Sequence, residues 1–205
     1  MKEIIILVHG YDNDKSNNPN SLCLNDMIPI MSEFMDIIII TTTMKDSYFY
    51  QRKGNVDIHY IPLEIKFNGK YNFKKWGTQV IDLVSRKKLI NEKSKMLNIS
   101  FPFDILRVGL KIKKKYPELY WVIYELDPFT YNSILRFQKI AFVYRFLLES
   151  NVFRHSNKIL LTHELMAQYS NNLLNRYKLK FKDIGIPILK ITNNNNNVGE
   201  NIDLI

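Results

Sequence analysis

The chain has 205 residues, 46% hydrophobic and 13% aromatic, enough for one domain with a full core and too apolar to stay disordered. A single cysteine, Cys23, excludes an internal disulfide and any multi-cysteine metal site. The formal charge of +9 points to anionic partners, but 22 lysines against 7 arginines, with no interleaved aromatic patch, argue against nucleic acid.

The first element is a strand over Glu3–Val8; Met1-Lys2-Glu3 leads straight into it, so no signal peptide is expected. A helix follows with Leu24, Ile28, Met31 and Met35 as its apolar stripe; Pro29 must kink it or confine its regular part. Asp36–Thr42 and Val56–Pro62 read as the next strands. Unbroken aliphatic runs such as "DIIIIT" fit parallel strands buried on both faces. Trp76, Val80, Ile81 and Val84 have helical spacing, whereas "KSKMLNIS" admits a helix end or another strand. Ile105, Val108, Ile112 and Tyr116 form a second stripe, with Gly109 beside them allowing close packing on a sheet. Tyr120–Tyr124 is a strand; Phe137, Ile140, Ala141, Tyr144 and Leu148 form a third stripe. Lys158–Leu161 is a strand, Leu165, Tyr169 and Leu173 a fourth stripe, and Ile186–Ile191 a last strand. No segment reaches the ~18 unbroken apolar residues of a membrane span, so the cytoplasm is the expected location.

Strands alternating with helices predict an α/β domain: a Rossmann-like, doubly wound, mostly parallel sheet with helices on both faces. Residues 1–192 are expected to form it; the five asparagines at 193–197 read as a linker, and residues 193–205 as that linker plus the start of a further domain. Ligands of such sheets gather at the carboxyl ends of the strands, which places Val8–Asp14, Glu125–Phe129 and Thr162–Glu164 along one rim.

The loop "HGYDND" admits several chemistries. A hydrolase needs G-x-S-x-G and a dinucleotide site needs G-x-G-x-x-G; neither occurs. Asp12-Asn13-Asp14 has the form of a metal-binding D-x-D but equally of a solvated Asx-rich turn. The four histidines share no metal-ligand spacing; His59 reads as structural and His155 as solvated, while His9 and His163 fall at the rim. Asp127-Pro128 has the form of a helix N-cap and N1 pair, and it also sets a carboxylate at the rim. Two basic clusters, Arg86-Lys87-Lys88 and Lys111 with Lys113-Lys114-Lys115, suit either a solvated helix face or an anionic lipid surface.

The stretch Ile99–Asn132 resembles the amino-terminal half of GT-B glycosyltransferases of the GT4-like group, through Ser100-Phe101-Pro102-Phe103 and through Trp121, Asp127, Pro128 and Phe129. Tyr124 and Leu126 replace the Asp and Arg of that pattern. "LLESNVFRHSNKILLTHEL" is similar to a later motif through Glu149, Ser156-Asn157 and Thr162. The likeness implies the acceptor-side half of a metal-independent enzyme, without cofactor, that moves a sugar from a nucleotide-sugar to a saccharide or lipid-linked acceptor. The E-x7-E pair of the donor half is absent, so this half alone is expected to be inactive. Asp127 is then the catalytic candidate. His9, Gly10, Tyr11, Asp12, Ser21, Pro102, Phe103, Glu125, His163 and Glu164 are the candidates for binding substrate. The expected placement is cytoplasmic, with peripheral contact at an anionic membrane and no nucleic acid. The competing expectation is a non-catalytic Rossmann-like subunit that binds a glycan or a partner protein.

Overall fold

The computed structural model describes residues 3–11, 18–100, 102–130, 139–169 and 171–184. Their core is one eight-stranded sheet: β1 (Glu3–Val8), β2 (Asp36–Thr43), β3 (Phe49–Lys53), β4 (Val56–Pro62), β5 (Ser94–Ile99), β6 (Tyr120–Tyr124), β7 (Lys158–Leu161) and β8 (Phe181–Asp183). The spatial order is β3-β4-β2-β1-β5-β6-β7-β8, and only the edge strand β3 runs antiparallel to its neighbour. The chain winds outward from β1 in one direction, then returns and winds in the other. The reversal lies between β1 and β5, where doubly wound sheets open a crevice at their carboxyl ends.

Side chains alternate across the sheet with period two, which splits the core. Ile5 and Leu7 face one layer with Trp76, Leu106, Trp121 and Phe153, and Ile6 and Val8 face the other with Leu24, Ile39 and Tyr124. The first layer is covered by α2 (Phe73–Arg86), α3 (Asp104–Lys115), α4 (Lys139–His155), α5 (His163–Met166) and α6 (Asn171–Arg176), the second by α1 (Pro19–Ser32). Gly109 lets α3 sit close to β5, because a Cβ there would lie 2.6 Å from Asn98 Oδ1. Asn98 in turn accepts the Trp121 indole N–H at 2.8 Å and donates to the Ile105 carbonyl at 3.0 Å, so this close contact is also a satisfied buried polar one.

The sequence expectations meet this fold with specific differences. "KSKMLNIS" forms β5, and β3 and β8 come without a sequence warning. β3 is mostly exposed and pairs only with β4 through a two-residue Gly54-Asn55 turn, so it shows no buried run. α1 continues through Pro29, and Met35 lies beyond its end. α4 buries Arg145, Glu149, Val152 and Phe153 while Tyr144 is exposed, so its inner face differs from the apolar stripe read from sequence. The fourth stripe is two short helices and the turn between them; Tyr169, in that turn, and Leu173, on α6, are nevertheless buried. No helix begins at Pro128: Asp127–Thr130 is an irregular bend, so the N-cap reading of Asp127 is corrected. The expected strand at 186–191, the asparagine run, Asp12 and Phe137 lie outside the described residues. Among the described residues no helix is long and apolar enough to cross a membrane.

Candidate functional site

The first loop is held by the threonines ending β2. Gly10 N–H donates to Thr42 Oγ1 at 2.8 Å and Tyr11 N–H to Thr41 Oγ1 at 2.9 Å. The carbonyls point the other way: His9 O accepts from Asn20 Nδ2 at 2.9 Å, and Gly10 O accepts from Ser21 Oγ at 3.1 Å. Ser21 is therefore a buried strut under the loop. The backbone N–H groups of Gly10 and Tyr11 are thus engaged within the fold. Glycine at position 10 has another cause: its φ is +66°, and a Cβ would stand 2.5 Å from Asn18 Nδ2. Asn18, which donates to Gly10 O, also caps α1 by accepting from Asn20 N–H at 2.9 Å, ahead of Pro19 in the first turn.

His9 leans against the rings of Tyr71 and Phe73, and burial lowers its pKa. Its Nδ1 is 2.8 Å from Thr42 Oγ1. Thr42 already accepts from Gly10, so its own proton best serves His9 Nδ1, which leaves a neutral ring with its N–H at Nε2.

Beside this loop lies a cavity of about 410 Å³ at the ends of β1 and β2, walled by the β3–β4 hairpin. Gly10, Tyr11 and Asn18 form one side, and Thr42, Thr43 and Lys45 the floor and lip. Phe49, Gln51 and Tyr60 form the far wall, with the Phe49 and Tyr60 rings stacked 4.2 Å apart. Lys45 Nζ stands 4.5 Å from the Phe49 ring centroid. Hydroxyls, an amide, an ammonium and aromatic faces in one open cavity suit a ligand rich in hydroxyl groups.

Further along the carboxyl edge the chemistry is enclosed. Glu125, directly after β6, and Glu149 on α4 are both completely buried. Burial first, then the neighbouring Glu149, pushes the Glu125 pKa well above the carboxylate range. Ser100 pulls weakly the other way, but no described group sits in bonding geometry on either Glu125 oxygen. Burial also raises Glu149, to about 6, although Phe129 N–H at 3.0 Å and the Tyr169 hydroxyl at 3.2 Å both donate to its Oε1. Both carboxyls are held above the ordinary carboxylate range, Glu125 the further, and the described donors gather on Glu149. Glu125 thus lies under the rim, not on its surface.

The other sequence candidates spread along the same edge. Phe103, buried at the entry to α3, stacks on Phe129 at 3.8 Å, tying the loop after β5, with Pro102, to the bend that carries Asp127. Asp127 itself is half-buried. His163 and Glu164 are exposed at the start of α5; His163 Nδ1 is 3.1 Å from Asp183 Oδ2, and helix-end hydrogen bonds hold the Glu164 pKa down. Of the described residues singled out from sequence, only Gly10 and Tyr11 line the cavity; Ser21 supports it from below. His59 is a buried core histidine 2.8 Å from the Tyr48 hydroxyl, its pKa held down to about 4 by burial and then by Lys87. Among the described residues no three His, Cys, Asp or Glu side chains gather as metal ligands.

No family model matches the chain, and no curated protein matches it in sequence. Solved structures do match it in shape. Sucrose-phosphate synthase from Thermosynechococcus elongatus superposes over 90% of this chain with a TM-score of 0.61 at 10% identity. The fold is that of one GT-B glycosyltransferase lobe. The apo structure of OtsA gives a TM-score of 0.57 over 86% of the chain at 8% identity. The catalytic domain of starch synthase IV from Arabidopsis thaliana, bound to ADP and acarbose, gives 0.57 over 90% at 9% identity. The chain spans 48%, 43% and 51% of the length of these three structures, about half of each.

Sequence reasoning did not find Lys45, Phe49, Gln51 and Tyr60. Three of them stand on the β3–β4 hairpin, and its one sequence signal was Gly54-Asn55 between two runs rich in aromatic and β-branched residues. Glu149 was noted within a motif but not as the partner of Glu125, because a contact between residues 24 apart in sequence leaves no local trace.

Proposed function

We propose that this chain is the acceptor-side lobe of a metal-independent glycosyltransferase, which transfers a sugar from a nucleotide-sugar to a saccharide or lipid-linked acceptor. The donor nucleotide is held mainly by a second lobe. The single observation that carries the reading is the hydroxyl-matching cavity at the carboxyl ends of β1 and β2, in a lobe with the GT-B fold. Gln51, Thr43 and Lys45 bind acceptor hydroxyls, and the aromatic wall takes the apolar face of a sugar ring. His9, neutral, offers Nε2–H to an oxygen entering from the rim. Asp127 accepts the hydrogen bond of the attacking hydroxyl and orients it, while Glu125 and Glu149 act beneath it as positioning residues that fix the bend. Stabilisation of the departing diphosphate falls to groups of the other lobe. The lobe alone is inactive, and it works in the cytoplasm at the inner face of an anionic membrane.

The test is sugar transfer by the enzyme with both lobes, comparing Asp127→Asn with the unmodified protein. The expected result is a fall in kcat of about a hundredfold or more, with an unchanged melting temperature and no loss of activity in EDTA. Equal losses of activity and stability would reduce Asp127 to a structural residue, and loss in EDTA would overturn metal independence.

A non-catalytic glycan-binding subunit is the second reading. It is favoured by the hydroxyl, amide and aromatic side chains that this lobe brings to the cavity. Saccharide binding with no transfer in the presence of any second lobe would establish it.

A further inference from the structure

Between β4 and α2 the chain makes a small hairpin that neither the sheet nor the cavity requires. Ile65 and Tyr71 pair as an antiparallel bridge. Asn72 N–H donates to Glu64 O at 2.8 Å, Lys66 N–H to Lys70 O at 2.8 Å, and Gly69 N–H to Lys66 O at 2.9 Å. Gly69, at φ +73°, makes the turn. This ladder fixes the tip, and at the tip Phe67 is fully exposed, with Ile65 and Tyr71 about half-exposed below it. A hydrogen-bonded element that carries three apolar side chains into water, its largest at the summit, is unlike a scattered surface aromatic.

The charge around it is mainly positive. Lys66 and Lys70 flank Phe67. Behind the hairpin, Lys66, Lys74, Arg107 and Lys111 line a cleft of about 410 Å³ whose only carboxylate among the described residues is Asp104, paired with Arg107 at 3.3 Å. Glu64, at the base of the hairpin, is neutralised by Lys75. The first turns of α2 and α3 open on the same cleft, adding their positive ends.

We propose that this hairpin and cleft dock the protein on an anionic lipid bilayer, Phe67 entering the headgroup–acyl boundary and the cleft taking a lipid phosphate. An aromatic tip ringed by lysines matches the amphipathic character of that boundary, and a free phosphate would leave Phe67 unexplained. The basic clusters legible in sequence divide accordingly. Lys111 belongs to the cleft, whereas Lys113 donates to the Pro117 and Leu119 carbonyls and Lys115 to Ser85 Oγ at the opposite end of α3. Tyr71 rests on His9, so the docking element touches the rim of the first loop and would hold the acceptor cavity near the lipid surface. The docking itself stands apart from the sugar-transfer reading, since it is measured without any transfer.

The experiment uses the full chain and sedimentation with vesicles of phosphatidylcholine alone or mixed with phosphatidylglycerol. Binding to the mixed vesicles is expected, and Phe67→Ala should weaken it about tenfold or more. Lys66→Glu with Arg107→Glu should weaken it at least as much, while Lys88→Glu with Lys114→Glu, at the far end of α2 and α3, should have a markedly smaller effect. Phe67→Trp should shift its emission to the blue on mixed vesicles and not with soluble glycerol phosphate; the two native tryptophans are buried and report folding. An unmoved Phe67→Trp spectrum, equal losses from the two charge reversals, or competition by inorganic phosphate that leaves Phe67→Ala without effect would overturn the proposal.

Discussion

Two regions at the carboxyl edge are built from opposite materials. The cavity beside β1 and β2 is open, and its polar groups face a ligand; the cluster after β6 is sealed, and its polar groups face one another. Both were expected to line one rim. The difference teaches that position at a strand end does not decide whether a side chain meets substrate; burial and partner geometry do. Substitutions in the sealed region should therefore cost stability, and those of the exposed cavity side chains Lys45 and Gln51 should cost binding alone.

The largest effect is expected from Glu149→Ala. It removes the acceptor of the Phe129 N–H and of the Tyr169 hydroxyl's bond to Oε1 and leaves a cavity beside Glu125, costing roughly 3 kcal/mol in urea unfolding. A change under about 0.5 kcal/mol, the usual range for a surface substitution, would mean that the cluster is not closed. Gly10→Ala follows at roughly 2 kcal/mol, from the left-handed backbone and the Asn18 contact together. It tests the claim that the first loop is shaped by packing and not by ligand approach.

The sealed pair should also appear in the pH dependence. Glu149 titrates at about 6 in the folded chain and Glu125 higher, both above their unfolded positions. The folded state then retains protons that the unfolded state has lost, so stability is full below the ordinary carboxylate range and falls as pH rises through about 6 and beyond. His9 and His59 are shifted down, so their contribution rises with pH and is complete just above the ordinary histidine value of about 6.5. Glu125→Gln should make the fall of melting temperature with rising pH shallower, and an unchanged fall would place the retained proton elsewhere.

How much was legible beforehand follows the same division. Six strand candidates came from short apolar runs and the parallel, doubly wound class from their alternation with helical patterns, and five of those runs are strands among the described residues. Gly109 was legible because a glycine within an apolar stripe has few other uses. The exposed hairpin strand β3 and the polar inner face of α4 were not, because their places depend on partners distant in the chain. The rule that ligands gather at strand ends set Glu125–Phe129 at the carboxyl edge of β6, where it lies, but no local signal set Glu125 beneath that surface.

In the open region, Lys45→Ala and Gln51→Ala should change stability by less than about 0.5 kcal/mol, since both side chains border the cavity and neither is in the core. The decisive measurement is therefore one of binding: titration of the isotope-labelled chain with a panel of saccharides and, separately, with nucleotide-sugars, followed by NMR. The account predicts saccharide-dependent shifts at Gly10, Lys45, Gln51 and Tyr60 that vanish in Gln51→Ala, and weak or no response to nucleotide-sugars. Tight nucleotide-sugar binding, or saccharide shifts that leave those four residues still, would contradict it.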